Sequence, residues 1–225
     1  CAIVTGVQTC ALPISFAYVR EHCQKWGGNQ EEIYLMGHSA GAHLVALLAC
    51  DERYLADHSL GLADIGMVVL LDGAGYDIPL VRELNPASFN RIYSQAFGED
   101  EEVLLQASPY HNISSHEEIA PFLIIHVPRK MSEHQSERLA EKLREAGNWA
   151  KVLKAKGKDH KSLNTELGDD SDQPTQWTLK FFGHFGHARR MSSSERPRER
   201  SDGPVIVKRR RRRSEEHTSE HQSLS

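Results

Sequence analysis

The sequence predicts an α/β fold class, in which helices flank a mostly parallel sheet. Over residues 16–182, short apolar runs typical of buried strands alternate with longer segments typical of helices. Strands that alternate with helices pair in parallel through helical crossovers. The length of 225 residues and the hydrophobic fraction of 39% suit one such domain with a loose tail.

Each predicted element has its own signal. Residues 16–26 carry apolar side chains at three- and four-residue spacing and stop at two glycines, which indicates an amphipathic helix. Residues 40–50 are small and apolar on all sides, as in a helix packed tightly on a sheet. The predicted strands are residues 33–36, 65–71, 121–126 and 150–155, and the remaining predicted helices are parts of 78–97, 135–146 and 175–182.

The charge is distributed unevenly along the chain. Residues 16–188 carry a net charge of −9, whereas residues 189–213 carry +8. Residues 183–212 have no apolar periodicity, so we expect a disordered basic tail there. Basic runs are commonly solvated rather than bound to phosphates, so no nucleic-acid partner is expected. No run of about eighteen apolar residues exists, so no membrane-spanning helix is expected either.

The two ends of the chain are related to each other. Codons for the last residues, read on the complementary strand in a shifted frame, spell most of the first residues. Residues 1–15 and 213–225 both resemble translations of a common short-read sequencing adapter, so we set them aside in predicting the fold. The remaining pattern opens with a helix, and we therefore expect the N-terminal strands of the domain to be missing.

The cysteine content argues against a metal site and against a disulfide framework. Cys1, Cys10, Cys23 and Cys50 show neither metal-ligand spacing nor the density of a disulfide-stapled domain. Isolated or buried thiols indicate a reducing compartment, which slightly favours the cytoplasm. No metal and no organic cofactor is predicted.

Residues 37–41 read Gly-His-Ser-Ala-Gly, a Gly-x-Ser-x-Gly pattern between a predicted strand and a predicted helix. In this setting the pattern predicts a nucleophile elbow, in which a strained turn lifts the hydroxyl of Ser39 above the sheet edge. We expect Gly37 and Gly41 to leave room for that turn. The amide of Ala40, at the start of the helix, would donate to the oxyanion.

Residues 34–43, with residues 108–114 and 121–126, resemble the α/β-hydrolase superfamily, most closely its carboxylesterase, lipase and arylformamidase-like members. The resemblance covers residues 16–182 and corresponds to the C-terminal part of that fold. It implies a partial α/β-hydrolase domain whose early strands, and a His-Gly-Gly oxyanion loop, would lie upstream.

A serine hydroxyl needs a neighbouring base to act as a nucleophile at neutral pH. The resemblance places the catalytic histidine in the loop after the fourth predicted strand, where His160 lies. The order of serine before histidine fits the hydrolase pattern. The histidines expected to pack or to form structural hydrogen bonds are His38, His43, His111 and His126.

The sequence offers three candidates for the acid that orients the histidine. The resemblance implies an aspartate after residues 122–126, but residues 127–134 contain only Glu133 as an acid. Asp72 follows the preceding strand, and Asp77 lies a few residues further on. We favour Asp72 because a strand end holds a side chain more rigidly than a loop does, and we keep Asp77 and Glu133 as alternatives.

Together these residues predict that the longer protein from which the chain would come is a serine hydrolase that cleaves a small carboxylic ester through an acyl-enzyme intermediate. We expect the chain by itself to be poorly active, because the N-terminal strands and the His-Gly-Gly loop would be missing. Its substrate would be a small ester or amide, and the sequence gives no oligomeric state. One alternative is an arylformamide hydrolase with the same chemistry. Another is a non-catalytic hydrolase-like binding domain, suggested by the lack of an aspartate in residues 127–134.

Overall fold

A computed structural model describes residues 6–115 and 118–194 of the chain. The strands are β1 (Tyr34–His38), β2 (Met67–Leu71), β3 (Phe122–His126) and β4 (Ala150–Lys154). The α-helices are α1 (Gly6–His22), α2 (Ala40–Cys50), α3 (Arg53–Ala56), α4 (Ile78–Leu84), α5 (Pro86–Ser88), α6 (Ser94–Phe97), α7 (Glu101–Gln106), α8 (Lys130–Glu145), α9 (Ser162–Thr165) and α10 (Gln173–Ser194). A π-helical turn (Phe89–Tyr93) and 3₁₀ turns at Cys23–Trp26, Leu62–Asp64 and Pro109–Asn112 complete the regular structure of this part of the chain.

The four strands form one parallel sheet in the order β1-β2-β3-β4, which confirms the predicted fold class. His38 pairs with Leu71, and Leu71 pairs with Ile125. This register brings the carboxyl ends of neighbouring strands level with one another. Polar residues that follow the strands are therefore collected at one edge of the sheet.

Helices cover both faces of the sheet. Alternate residues of β2 point to opposite faces, as the two-residue period of a strand requires. Val68 and Leu70 pack with residues of α1, α2 and α8, whereas Val69 and Leu71 pack with Phe181 of α10. Burial on both faces explains why β2 and β3 are continuous apolar runs rather than alternating ones.

Strand β1 differs from the prediction of a fully buried strand. It begins one residue later and ends two residues later than expected, and it is an edge strand among the described residues. Met36 is 47% exposed as a result. The apolar run by itself does not distinguish a central strand from an edge strand, but the expected absence of the N-terminal strands predicts an exposed sheet edge at residues 33–36.

The first helix also departs from the prediction. Phe16 and Cys23 are buried as expected, but Val19 and Trp26 are exposed. Helix α1 starts at Gly6, within the segment that resembles an adapter translation, and Gly27 ends the following 3₁₀ turn with a left-handed φ of 77°.

The last helix runs beyond the predicted end at residue 182 and stops at Ser194. The first part of the predicted disordered tail is therefore helical. Phe185 explains the extension, because it packs on Trp149 and Phe181, one turn beyond the predicted end. Residues 195–212 of that tail, and residues 213–225, lie outside the described residues.

Between β2 and β3, helices α4 to α7 build a wall beside the carboxyl edge of the sheet. Ile78, Val81, Phe89 and Leu104 form a small apolar core of their own inside this wall. None of the helices within residues 6–115 and 118–194 is long and apolar enough to cross a membrane.

The turn from β1 into α2 depends on one of its two glycines. A Cβ atom on Gly37 would lie 2.3 Å from the carbonyl oxygen of Gly41, which is far inside van der Waals contact. A Cβ atom on Gly41 would meet open space, so the expectation that both glycines avoid collisions is wrong for Gly41. The difference arises because α2 passes over Gly37 and leaves Gly41 on its outer side.

We expect Gly37→Ala to lower the free energy of unfolding by about 2 kcal/mol or more, because backbone atoms must move to admit the methyl group. Gly41→Ala is the matched control and should change it by less than about 1 kcal/mol. Urea unfolding followed by circular dichroism measures both values. An equal decrease in the free energy of unfolding in both variants would contradict the close approach of the Gly41 carbonyl to Gly37.

Candidate active site

Ser39 lies at the tip of the turn between β1 and α2, in a backbone conformation with φ 58° and ψ −121°. A positive φ is unfavourable for a residue with a side chain, so the surrounding structure must hold it. The Ser39 N–H donates to the carbonyl of Leu71 at 3.0 Å, and the Ser39 carbonyl accepts from the N–H of Ala42 at 3.1 Å. These bonds fix the hydroxyl at the carboxyl edge of the sheet.

His160 reaches this hydroxyl from the loop between β4 and α9. Its Nε2 lies 3.0 Å from Ser39 Oγ, and its Nδ1 lies 2.6 Å from Asp72 Oδ2. A carboxylate only accepts, so the Nδ1–H donates to Asp72 and leaves Nε2 to accept from the serine hydroxyl. The geometry is that of a serine, a base and an orienting acid.

The loop that carries His160 is held at several points. The ring of His38 lies 4.4 Å from that of His160 at a tilt of 37°, and its Nε2–H donates to the His160 carbonyl at 2.8 Å. The N–H of Ser162 donates to the Asp159 carboxylate at 2.7 Å. Lys158 pairs with Asp172, which lies at the start of α10. The loop is thereby tied to both β1 and α10.

Asp72 follows β2 directly, with a left-handed φ of 43° and a fully buried side chain. Its Oδ1 accepts from Ser132 Oγ at 2.6 Å and from the N–H of Val127 at 3.2 Å. Arg129 donates to Oδ2, the oxygen that also accepts from His160. The carboxylate therefore has donors from two further segments of the chain.

The electrostatics of the site keep Asp72 ionised. Burial by itself raises the pKa of this carboxyl group, because a charge is costly away from water. The hydrogen bonds from Ser132, His160 and the Val127 N–H, together with the charge of Arg129, lower the pKa by more. The net pKa lies below the ordinary value.

The structure places the other two candidate acids elsewhere. Asp77 is buried, but its carboxylate caps α4 and pairs with Arg138 and His111. Glu133 is half-buried on α8 and pairs with Lys154. Of the three candidates, Asp72 is the one bonded to the ring of His160.

The remaining candidate histidines have structural partners. His43 is buried in α2, its Nε2–H donates to the carbonyl of Ala107 at 2.8 Å, and burial lowers its pKa. His126 is buried at the end of β3, and its Nδ1–H donates to the Val127 carbonyl at 2.8 Å. His111 faces Asp77, as noted above.

Ala40 is the first residue of α2 and is exposed beside Ser39. The first N–H groups of a helix have no acceptor within the helix. The Ala40 N–H is therefore available to an oxygen atom bound next to Ser39. The positive end of the α2 dipole lies at the same place and would further stabilise a negative charge on that oxygen. The His-Gly-Gly sequence that the resemblance implied for a second donor does not occur in the chain.

A cavity of about 800 Å³ opens over the serine. Ser39, Asp72 and His160 lie at its base. Its walls are formed mainly by α2 and by the helical segment between β2 and β3, with the lining residues Ala40, His43, Leu44, Ala74, Ile92, Tyr93, Gln95, Ala96, Phe97 and Arg129. The space is large enough for a small organic substrate.

The described side chains offer no metal site, since no group of three or more His, Cys, Asp or Glu residues among them could hold an ion. Cys23 and Cys50 are both buried thiols. A second cavity, of about 670 Å³, lies near Ala63, Pro121 and Trp149, toward the amino ends of β2, β3 and β4. It contains none of the candidate catalytic residues.

Sequence reasoning missed the residues that hold the acid. Ser132 and Arg129 lie in the segment after β3, which drew attention only because it lacks an aspartate. The structure shows that this segment supplies hydrogen-bond donors to the aspartate of the neighbouring strand. A serine and an arginine beside a strand end are weak signals in a sequence, and only their proximity to Asp72 gives them a role.

Known structures share this architecture. The structure of esterase B from Lactobacillus rhamnosis superposes with a TM-score of 0.66 at 15% identity, over 84% of this chain and 64% of that one. Esterase Est2 from the planctomycete Thermogutta terrifontis gives a TM-score of 0.57 at 22% identity, over 79% of this chain and 62% of that one. At these identities the likeness concerns the fold.

Sequence comparison identifies the family. Over 161 residues the chain is 29% identical to a probable isoprenylcysteine alpha-carbonyl methylesterase of Arabidopsis thaliana. The matched region covers 65% of this chain and 34% of the relative. The chain thus spans about a third of the length of this curated relative. The model of the family described as alpha/beta hydrolase fold matches residues 14–164. Since that match spans more than half of the chain, the protein belongs to the alpha/beta hydrolase fold family.

Proposed function

We propose that the chain is a serine hydrolase that cleaves a small carboxylic ester through an acyl-enzyme intermediate. One observation carries the proposal: Asp72, His160 and Ser39 form a continuous hydrogen-bonded chain at the base of an open cavity. Each member has the hydrogen-bonding neighbour that its role requires.

In the first half of the reaction, Ser39 Oγ attacks the ester carbonyl carbon while His160 Nε2 takes the hydroxyl proton. The imidazolium ion that forms lies against the ionised Asp72, which stabilises it and keeps the ring oriented. The carbonyl oxygen becomes an oxyanion and accepts from the Ala40 N–H. His160 then gives its proton to the departing alcohol, which leaves Ser39 acylated.

In the second half, a water molecule takes the place of the alcohol. His160 accepts a proton from the water as its oxygen attacks the acyl carbon. The tetrahedral intermediate collapses, the carboxylic acid leaves and Ser39 recovers its proton from His160.

Two lines of evidence support ester cleavage. The two solved structures and the curated relative described above are named as esterases and as a probable methylesterase. The cavity wall also includes the apolar side chains Leu44, Ile92 and Phe97, which suit the carbon chain of a small ester. The non-catalytic alternative rested on the missing aspartate after β3, and the position of Asp72 beside His160 weighs against it.

The role of Ser39 can be tested by covalent labelling with an organophosphonate. We expect the wild-type chain to gain one phosphonyl group by mass spectrometry and Ser39→Ala to gain none. Ser59→Ala is a matched control, because Ser59 has nearly the same φ of 57° but is exposed. Labelling that persists in Ser39→Ala would refute the assignment.

The choice of acid can be tested through the rate. We expect Asp72→Asn to lower kcat/KM for a short-chain nitrophenyl ester by about 10³- to 10⁴-fold, because an amide stabilises neither the imidazolium ion nor the required tautomer. Glu133→Gln, which alters a partly exposed ion pair away from His160, should stay within about twofold of wild type. A large decrease in kcat/KM for Glu133→Gln, together with a small one for Asp72→Asn, would reverse the assignment of the acid.

The lowered pKa of Asp72 also makes a prediction about stability. A carboxyl group whose pKa is lower in the folded state stabilises the fold fully above its unfolded pKa of about 4, and this contribution is lost as the pH falls through the folded value. The stability difference between wild type and Asp72→Asn should therefore be largest near pH 6 and should narrow toward pH 3. Urea unfolding at a series of pH values measures it. A difference that widens on acidification would contradict the sign of the shift.

A further inference from the structure

Arg129 brings a positive charge into the cavity above the serine. It lines the same cavity as Ser39, and its guanidinium group donates to Asp72 Oδ2. Its side chain is 52% exposed, whereas the side chain of Asp72 is fully buried. The guanidinium group has five N–H donors, and the bond to Asp72 Oδ2 uses one of its nitrogen atoms, Nη2.

The charges that line the cavity are few and nearly balanced. Asp72 is ionised and Arg129 is always protonated near neutral pH. His43 stays neutral because burial lowers its pKa, and Tyr93 stays neutral because burial raises its pKa to about 12. Among the lining residues, the positive charge of Arg129 therefore offsets the negative charge of Asp72.

The charges of Asp72 and Arg129 affect how a charged substrate binds next to Ser39. Without Arg129, a ligand near Ser39 would face the uncompensated negative charge of Asp72. A carboxylate on the substrate would then be repelled, and so would the oxyanion that forms during attack. With Arg129 in place the charge of Asp72 is offset, and the guanidinium group can also pair with a carboxylate.

The rest of the lining offers little else to an anion. Leu44, Ala74, Ile92 and Phe97 are apolar, and they suit the carbon chain between an ester group and a distant charge. Among the described lining residues, Arg129 is the only one that is always positively charged. An anionic end of a substrate therefore has one evident place to bind.

We propose that Arg129 is a specificity-determining residue that allows the site to accept esters with a carboxylate in the acyl chain. The inference rests on the proposed ester-hydrolysing function and names one substrate class for it. Arg129 acts on the ligand through guanidinium N–H groups other than the one that holds Asp72.

A pair of esters of matched size tests the inference with the chain of 225 residues. The neutral ester is 4-nitrophenyl hexanoate, and its anionic partner is the mono-4-nitrophenyl ester of adipic acid. The measured quantity is the ratio of their kcat/KM values, corrected for hydrolysis in the presence of Ser39→Ala. We expect Arg129→Gln to lower the anionic-to-neutral ratio about fivefold or more, as the loss of a partly exposed charge contact predicts.

Two control variants separate charge from structure. Arg129→Lys keeps the charge and should keep the ratio within about twofold of wild type. Arg53→Gln removes an arginine that is 58% exposed and pairs with the buried Asp51. This pair resembles the pair of Arg129 and Asp72 in its exposure, but it does not line the cavity. Arg53→Gln should leave the ratio unchanged. Added salt should lower the wild-type ratio toward that of Arg129→Gln, because salt screens exposed charges.

The outcomes distinguish the two proposals. If Arg129→Gln slows both esters equally, the residue only positions Asp72 and the specificity inference is wrong. Turnover of the neutral ester that depends on Ser39, with an unchanged ratio in Arg129→Gln, overturns the inference and leaves the proposed function standing. If neither ester is turned over in a Ser39-dependent way, both proposals fail.

Discussion

The buried carboxylate of Asp72 is the constraint on which the arrangement of this site depends. A charge without solvent is costly unless donors surround it, and here the donors come from separate parts of the chain. Val127 and Ser132 follow β3, and His160 follows β4. Satisfying one carboxylate therefore fixes the segments after three neighbouring strands relative to one another, which is the precision that a proton-transfer site needs.

The parallel sheet makes this arrangement possible. Level carboxyl ends bring the segments after β1, β2, β3 and β4 to a single edge. The tight approach of α2 to Gly37 then sets the position of Ser39, whose strained backbone is held by hydrogen bonds to the end of β2 and within α2. The packing of α2 on Gly37 and the position of the Ser39 hydroxyl therefore depend on the same turn of the chain.

The segment after β3 has a different role from the one that the resemblance implied. It supplies no acid, and it contributes a backbone N–H, a hydroxyl and a guanidinium group to the acid of the adjacent strand. The carboxylate that is bonded to the imidazole of His160 follows β2, one strand away from the position that the resemblance implied. Arg129, the exposed member of this set, also gives the cavity its positive charge, and this is why we assign substrate selection to it.

The sequence alone determined the features that depend on local pattern. Apolar runs predicted the four strands, and glycine spacing between a strand and a helix predicted the turn at Ser39, because both signals lie within a few neighbouring residues. The resemblance added His160. The choice among Asp72, Asp77 and Glu133 was open in the sequence, since each is an acid near a strand or helix end. Only the tertiary structure placed Asp72 against the imidazole, because that contact joins residues 88 positions apart and depends on the register of the whole sheet.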